Sequence, residues 1–273
     1  MARKYTLDEL LIITAAREIR DGDRVILGVG LPTTAGAMAK ALHAPNAILM
    51  MESGIIDFQP LVPPNHIADA NSCRGFSYAT DLFSMFTMTY RGYVDMCFLG
   101  VAQIDRYGNV NTTCIGDYYK PRMRLPGSGG AADFMAYAKA TVLTMRGGEF
   151  VEKLDYFTSP GYLEGGDARD RSGLFPKGSG PIMLLTTKGV FRFDEVTKEL
   201  CLAQLHPGVT VDMVKKDVPW DLKVAEDLTQ TPRPTDEEIA FVRRFAPTEA
   251  VGRKLMYELG ITNVFRKAAE RGK

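Results

Sequence analysis

Hydrophobic positions along the chain alternate between a helical and a strand-like spacing, and this alternation predicts a regular succession of elements. A capping box at Thr6 and Glu9 opens a first, amphipathic helix. A short apolar strand is predicted over residues 24–27, a second helix over about 34–42, and a buried strand over about 47–51. The order helix–strand–helix–strand favours an α/β fold with an open, mostly parallel sheet flanked by helices.

The same alternation continues through the rest of the chain. We predict further helices over about 81–90, 211–217 and 236–245 and one beginning near 132, and strands over 96–100, 140–145, 182–186 and 190–193. The last two strands are expected to form a hairpin at Lys188-Gly189, and a proline-rich linker over 229–234 leads to a capping box at Thr235 and Glu238. Residues 248–273 are predicted to be a helical C-terminal tail.

The charge balance limits the partners that the chain can bind through bulk electrostatics. Lys and Arg number 33, and Asp and Glu number 33. A neutral chain has no general attraction for nucleic acid or for an anionic membrane, so neither is expected as a partner. No apolar run approaches the roughly 18 residues of a membrane helix, and the N-terminus lacks the apolar core of a signal peptide, so we predict a cytoplasmic protein.

Cysteine and histidine spacing argues against a metal site. The four cysteines are far apart and include no CxxC pair, which favours reduced and mostly buried thiols: Cys73, Cys97, Cys114 and Cys201. The three histidines form no cluster with metal-ligand spacing. Neither Gly28-Val29-Gly30 nor the segment 126–132 completes a dinucleotide or phosphate-loop motif, so we expect no permanently bound cofactor.

One carboxylate stands directly after a predicted strand. Glu52 follows the apolar run 47–51, and Ser53 and Gly54 come next. Ligands of open α/β sheets bind beyond the carboxyl ends of the strands, and Gly54 would allow a ligand to approach the backbone closely. The alternative is that Glu52 is only the first polar residue of a loop, and the segment alone does not decide between them.

Two further segments carry groups able to donate hydrogen bonds to a developing oxyanion. Gln103, Asn109 and Asn111 are amides close to the end of the strand predicted over 96–100, although asparagine in such a loop is also a common turn former. Gly129 and Gly130 lie in the glycine-rich segment that precedes the helix beginning near 132, where backbone N–H groups are available to an anion.

Taken together, these segments resemble the B (beta-type) subunits of class I CoA-transferases, and among them those of glutaconate CoA-transferases. The resemblance extends from about residue 6 to about residue 247, which we take as one domain. Its motifs lie at 28–32, 52–54, 102–105, 107–111, 115–118, 127–131, 155–161 and 188–194.

The resemblance implies a three-layer α/β fold and a catalytic glutamate. In the family the glutamate of the Glu-Ser-Gly motif attacks an acyl-CoA thioester and later carries CoA as a glutamyl thioester, and that residue corresponds to Glu52. The oxyanion donors expected beside it are the Asn111 side chain, with Asn109 as the open alternative, and the backbone N–H groups of Gly129 and Gly130. The remaining residues expected at the CoA and substrate site are Gly28, Gly30, Ser53, Gly54, Gln103, Asn109 and Ala131.

The resemblance also implies an A-type (alpha) partner subunit, with acyl-CoA and a carboxylic acid as substrates. The densest basic cluster, Lys120, Arg122 and Arg124, is expected to be a solvated loop or to contact ligand or partner. The same fold family contains decarboxylases and hydrolases of CoA thioesters, which typically lack the glutamate, and related folds serve as ligand sensors, which would need an attached DNA-binding module. Which acid and which acyl-CoA are used does not follow from the sequence.

Overall fold

A computed structural model of the chain describes residues 5–246 and places helices and strands in alternation along most of that range. The helices are α1 (Leu7–Ala16), α2 (Leu31–Leu42), α3 (Leu82–Tyr90), α4 (Ala131–Tyr137), α5 (Ala168–Arg171), α6 (Val211–Lys215) and α7 (Asp236–Phe245). A short 3₁₀ turn covers Ala70–Cys73. The tail predicted over 248–273 lies outside the described residues.

The strands are short at the periphery and longer at the centre. They are β1 (Arg24–Leu27), β2 (Ile48–Met50), β3 (Ile55–Ile56), β4 (Tyr78–Ala79), β5 (Met96–Gly100), β6 (Gln103–Ile104), β7 (Val110–Asn111), β8 (Cys114–Ile115), β9 (Met123–Arg124), β10 (Ala140–Met145), β11 (Glu149–Phe150), β12 (Pro181–Thr186), β13 (Gly189–Phe193), β14 (Leu200–Leu205) and β15 (Lys223–Gln230).

Ten of these strands form one sheet in the order β15-β14-β13-β12-β10-β5-β1-β2-β3-β4. The five central neighbours, β12, β10, β5, β1 and β2, are parallel, whereas β13 and β14 on one side and β3 and β4 on the other pair antiparallel with their inner neighbours. The predicted mostly parallel sheet is therefore confirmed. Two small sheets, β11-β6-β7 and β8-β9, lie outside it.

Helices cover both faces of the sheet because successive strand residues point to opposite sides. Val25 and Leu27 of β1 pack in one apolar cluster with α1, α2 and α7. Ile26 packs in another with Met85 of α3 and Phe134 of α4. The molecule thus has three layers, as the resemblance implied.

The sequence located most central elements but missed details that depend on packing. Both capping boxes and the hairpin at Lys188-Gly189 are confirmed. Helix α1 was predicted to be amphipathic, and this was wrong, since residues 9–16 are all buried. Helix α2 begins at Leu31, three residues earlier than predicted, because Pro32 fits the first helical turn, where no N–H is needed. Strands β14 and β15 were not predicted.

The parallel arrangement brings five strand ends to one edge of the sheet. The segments that leave β1, β2, β5, β10 and β12 all begin at that edge, and they include the glycine turn at 28–30 and the Glu52 turn. This is the edge at which open α/β sheets bind ligands. The described part of the chain contains no helix long and apolar enough to cross a membrane.

Candidate active site

Glu52 lies in a tight turn at the carboxyl end of β2. The Gly54 amide donates to Met51 O at 3.0 Å and closes the turn. Gly54 has φ +104°, and a Cβ at this position would lie 2.2 Å from Thr80 O, so the backbones approach too closely for a side chain. Thr80 N donates in return to Gly54 O at 2.8 Å. The turn is therefore fixed against the segment that enters α3.

The Glu52 carboxylate reaches across to the start of α4. Gly130 N donates to Glu52 Oε1 at 2.9 Å. Gly129 adopts φ +48°. A Cβ at this position would lie 3.7 Å from Glu52 Oε1, so glycine keeps the space between the loop and the carboxylate open. The structure thus brings together three of the predicted site residues, Glu52, Gly129 and Gly130.

Gly130 is held in place by aromatic packing. A Cβ on Gly130 would lie 2.6 Å from a ring carbon of Phe134 and 2.7 Å from one of Phe86, so only glycine fits between these rings. The two rings contact each other with their centroids 5.5 Å apart. Because Phe134 belongs to α4 and Phe86 to α3, the N–H that binds Glu52 is positioned by the packing of both helices.

The surroundings of Glu52 disfavour its charged form. Burial raises the pKa of the Glu52 carboxyl above its ordinary value, the hydrogen bond from Gly130 lowers it, and the nearby Asp133 carboxylate raises it again. The net direction is upward. A half-buried carboxylate of raised pKa is a better nucleophile than one in water, because it is more basic and less completely solvated.

Asn111 was predicted as an oxyanion donor, but in this structure its amide is engaged within the protein. Its side chain is fully buried, and its Nδ2 donates at 2.7 Å both to Gln103 Oε1 and to Cys114 O. Its Oδ1 accepts from Thr113 N at 2.9 Å. With both amide hydrogens already bonded inside the protein, Asn111 has none left for a substrate.

The two other predicted amides are engaged in the same way. Asn109 Nδ2 donates to Asp105 Oδ2 and Leu163 O, both at 2.7 Å. Gln103 Nε2 donates to Glu149 and Asp155 carboxylates at 2.9 and 3.0 Å. Both side chains are buried. They shape the loops behind the site and present no free donor to a ligand, so their assignment to substrate binding is not supported by their geometry.

The remaining predicted residues lie at the same sheet edge without touching the carboxylate. Gly30, with φ +91°, precedes α2, and Gly28 follows β1. The Ser53 Oγ is enclosed and makes no hydrogen bond within the described part of the chain. Ala131 is the first residue of α4, and its N–H donates to Ser128 O at 2.8 Å.

The basic cluster of the sequence lies in the loop between β8 and β9 and on the exposed strand β9. Lys120, Arg122 and Arg124 are all exposed. The Arg124 guanidinium lies 4.8 Å from the centroid of the Tyr118 ring and donates to Tyr118 O. This position agrees with the expectation of a solvated loop.

Two features of the site gave no signal in the sequence. The Asp133 carboxylate raises the pKa of Glu52, but in the sequence it is an ordinary acidic residue in the first turn of a helix. Thr112 holds the glycine-rich loop, accepting from Gly127 N at 2.9 Å and donating through Oγ1 to Gly127 O at 2.8 Å. Neither spacing nor composition separates these residues from ordinary loop and helix residues.

The cysteines have no role in this constellation. Cys97 is fully buried, and burial raises the pKa of its thiol to about 12. Cys114 is buried as well, whereas Cys73 is exposed. Among residues 5–246 there is no group of three His, Cys, Asp or Glu side chains arranged to hold a metal ion.

The chain is similar to known proteins over most of its length. Residues 9–217 match the family model described as Coenzyme A transferase. The chain is 36% identical over 242 residues to the B subunit of the 3-oxoadipate CoA-transferase of Pseudomonas knackmussii, covering 88% of this chain and 92% of that protein. It is 35% identical over 262 residues to the B subunit of the glutaconate CoA-transferase of Acidaminococcus fermentans, covering 90% and 97%.

Solved structures show the same relationship. The glutaconate coenzyme A-transferase of A. fermentans superposes with a TM-score of 0.84 at 33% identity, covering 89% of this chain and 96% of that one. The decarboxylase AibA/AibB superposes with a TM-score of 0.76 at 26% identity over the same shares of both chains.

Proposed function

Because this chain belongs to the coenzyme A transferase family, we propose that it is the catalytic B-type chain of a two-subunit CoA-transferase whose nucleophile is Glu52. The observation that carries the proposal is the 2.9 Å hydrogen bond from Gly130 N to Glu52 Oε1, which fixes a carboxylate of raised pKa at the ligand-binding edge of the sheet. The reaction moves CoA from an acyl-CoA to a carboxylic acid.

The first step uses the oxygen that Gly130 leaves free. Glu52 Oε2 makes no hydrogen bond to the residues that the structure describes, whereas Oε1 accepts from Gly130. We assign Oε2 to the attack on the thioester carbonyl of the acyl-CoA. A C–O bond forms, the C–S bond breaks with its electron pair going to sulfur, and the products are an acyl-glutamyl anhydride and CoA thiolate.

The second step explains why Oε1 is held. The thiolate attacks the glutamyl carbonyl carbon, whose carbonyl oxygen is now Oε1, and negative charge develops on that oxygen. The Gly130 N–H is already directed at it and stabilises the charge without rearrangement. Collapse releases the first carboxylate and leaves a glutamyl-CoA thioester. The acceptor acid then repeats both steps in reverse, which regenerates the Glu52 carboxylate and releases the new acyl-CoA.

The proposed chemistry requires no permanently bound metal or cofactor. CoA enters and leaves as part of the substrates. Each bond change is an exchange among carboxylate, anhydride and thioester, so no electron acceptor is needed. Loss of an oxyanion donor in comparable acyl-transfer sites costs about 3–4 kcal/mol of transition-state stabilisation, which gives the scale of the contribution expected from Gly130.

We propose that an A-type subunit completes the site. The names of both sequence relatives describe one of two kinds of chain, the B type, and so imply a second kind. Among the residues that the structure describes, the groups that act on the Glu52 carboxylate are the Gly130 amide and the Asp133 carboxylate, and neither carries a positive charge for an anionic substrate. The isolated chain is therefore expected to be inactive, and full transfer by this polypeptide alone would contradict the assignment.

We infer that the acid is dicarboxylic. Oxoadipate and glutaconate, for which the two relatives are named, both carry a second carboxylate. Since Asp133 near Glu52 repels such a group, we place its recognition on the partner subunit. A screen of the co-purified complex with straight-chain monocarboxylic and dicarboxylic acids of four to six carbons tests this inference, and equal rates for both classes would overturn it.

The nucleophile is tested by comparing Glu52→Asp and Glu52→Ala in the purified complex. Aspartate withdraws the carboxylate by one methylene, and a misplacement of about 1 Å in a reacting group lowers the rate about a hundredfold. The gap admits water, which aspartate can activate as a general base, so transfer falls steeply while slow release of free CoA without acceptor persists. Alanine, with neither nucleophile nor base, loses both activities.

A direct label distinguishes covalent from concerted transfer. Incubation of the wild-type complex with acyl-CoA alone is expected to add CoA to the peptide that contains Glu52, and kinetics with both substrates should be ping-pong. Wild-type transfer by the Glu52→Ala complex would exclude Glu52 as the nucleophile. Release of carbon dioxide from the acyl group, without transfer, would favour instead the decarboxylase activity found in this fold family.

A further inference from the structure

Arg169 is a buried cation whose hydrogen-bond partners among residues 5–246 are all uncharged. Its residue is only 2% exposed, and burial lowers the pKa of its guanidinium to about 10. Its two terminal nitrogens donate five hydrogen bonds of 2.8 to 3.3 Å, to Pro160 O, Gly161 O, Met135 O, Ala136 O and Ser179 Oγ. The Phe175 ring covers the guanidinium at 4.2 Å. Four backbone carbonyls therefore share one buried positive charge.

Two of these carbonyls belong to the last turn of α4. Arg169 Nη2 donates to Met135 O at 2.8 Å and to Ala136 O at 2.9 Å. Backbone carbonyls at the end of a helix lack intrahelical donors, so a cation is favoured there. The other end of the same two-turn helix is Gly130, whose N–H binds Glu52. A shift of α4 along or about its axis would thus move the Gly130 amide relative to Oε1.

The other two carbonyls, of Pro160 and Gly161, belong to the loop 158–161, which is connected to the glycine-rich segment 127–130 by hydrogen bonds. Gly161 O accepts from Arg169 Nη1 at 2.8 Å, and Gly161 N donates to Asn109 Oδ1. Thr158, in the same loop, accepts through Oγ1 from Thr112 N at 2.9 Å. Thr112 holds Gly127 through two hydrogen bonds. Arg169 therefore joins two supports of the segment 127–130, which are α4 itself and the loop 158–161 that contacts Thr112.

We propose that Arg169 is a positioning residue for the CoA-transfer reaction, which holds α4 and the loop 158–161 together so that Gly130 N stays within hydrogen-bond distance of Glu52 Oε1. Arginine suits this task because its planar fork donates in several fixed directions at once, whereas a lysine ammonium at the same place reaches one group of carbonyls and not both. The inference rests on the proposed role of Glu52.

The test is Arg169→Lys in the complex with the A-type subunit. We expect kcat for transfer to fall about tenfold to a hundredfold, with KM for acyl-CoA changed less than about twofold, because misplaced catalytic groups slow the chemical step more than binding. Weakening of the Gly130 bond also removes the influence that lowers the Glu52 pKa, so the pH at which kcat falls on the acid side should move upward. Asp133, the charged group of α4 that acts on Glu52, is retained.

Arg17→Lys is the matched control. Arg17 likewise donates to two backbone carbonyls, of Pro232 and Arg233, and pairs with Glu238 at 2.7 Å, but it joins the end of α1 to the start of α7. Its replacement should lower the melting temperature without altering kcat or the acid limb. If Arg169→Lys shows that same pattern, Arg169 is only structural and the proposal is overturned.

A second variant decides the matter if Arg169→Lys does not assemble. Ser179→Ala removes one acceptor of Nη2, together with the hydrogen bond that Ser179 Oγ donates to Pro176 O at 2.6 Å, and leaves the arginine in place. We expect kcat about twofold to fivefold lower, with the acid limb shifted in the same direction, and an unchanged kcat and pH profile would overturn the proposal. Wild-type transfer by the Glu52→Ala complex would instead refute the proposed nucleophile, so the two failures are distinguishable.

Discussion

Burial raises the pKa of the Glu52 carboxyl, and although the Gly130 amide offsets part of this effect, the Asp133 charge adds to it. Relative to the unfolded chain, the folded protein therefore shifts the Glu52 equilibrium toward the protonated form, while the proposed attack needs the ionised form. A raised folded-state pKa means that the ionised residue lowers stability at neutral pH. Stability and chemistry make opposite demands on this one side chain.

Glu52→Gln is expected to separate these demands. Glutamine has the same shape, retains an oxygen that accepts from Gly130 N, and carries no charge to desolvate. The free energy of unfolding at pH 7 should equal or exceed that of the wild type, while transfer activity is lost. Denaturant titration and a CoA-transfer assay measure the two effects. Glu195→Gln, at an exposed position, is the control and should change neither; a marked destabilisation by Glu52→Gln would contradict the argument.

At the residue scale the sequence predicted Glu52 and the paired glycines, which the structure brings together, and Asn111, whose amide the structure engages within the protein. A carboxylate directly after an apolar strand does not by itself separate a catalytic Glu52 from the first polar residue of a loop, and the resemblance to CoA-transferases favours the catalytic role. Asparagine serves equally well as a donor to a ligand and as an internal brace. Only the partners of its amide hydrogens, Gln103 Oε1 and Cys114 O, decide between these roles, and those contacts are set by tertiary structure.

At the scale of elements, the turn after β2 is the part on which the site depends. Gly54→Ala would place a methyl group 2.2 Å from Thr80 O at a residue with φ +104°. We expect a loss of about 1–3 kcal/mol of stability from the strained backbone, together with a transfer rate lowered at least tenfold because Glu52 moves with the turn.

Gly147→Ala provides the comparison for this turn. Gly147 follows β10 at the same edge of the sheet, has an ordinary φ, and has open space where a Cβ would stand. Its stability and activity should remain close to those of the wild type. Equal effects of the two substitutions, measured by thermal unfolding and by transfer assay, would show that crowding at Gly54 does not set the position of Glu52.

The sequence predicted the central elements better than the peripheral ones for a physical reason. Strands β5 and β10 contain no charged residue and are mostly buried, because both faces of the sheet are covered there. Strand β15 is exposed or half-buried along its length, so its sequence, Lys223–Gln230, contains charged and polar residues that do not indicate a strand. It is recognised only through its pairing with β14.

At the scale of the whole molecule, Asp95 joins the strands at the edge opposite the site. It accepts from Arg24 of β1 at 2.7 Å and from Lys139, just before β10, at 2.7 Å. Burial raises the pKa of Asp95, but the bonds from these two cations outweigh it and hold the pKa well below its ordinary value. A carboxylate with a lowered folded-state pKa adds stability above the unfolded-state pKa, near 4, and loses that contribution as the pH falls further.

Asp95→Asn is therefore expected to lower the free energy of unfolding at pH 7 by about 1–2 kcal/mol. The difference from the wild type should shrink as the pH is lowered from about 4 and nearly vanish in strong acid. Denaturant titrations at several pH values measure it. Asp221→Asn is the control, since Asp221 is fully exposed and 3.8 Å from Lys215. A difference that stays constant down to pH 2 would contradict the assignment.

The unequal surroundings of the two Glu52 oxygens have a consequence for the path of individual atoms. In the proposed reaction the departing carboxylate carries away the attacking oxygen, and the acceptor acid replaces it with one of its own. Oε1 never leaves the residue, because it is the carbonyl oxygen throughout and is held by Gly130.

Turnover with an acceptor acid labelled with oxygen-18 should therefore place one heavy atom in Glu52 and no second one, however many cycles follow. Mass spectrometry of the peptide that contains Glu52 would give a gain of about 2 mass units, provided that the carboxylate does not rotate between cycles. A doubly labelled residue would mean that Gly130 releases Oε1 in each cycle, and the hydrogen bond would then be a passing contact and not a fixed part of the catalyst.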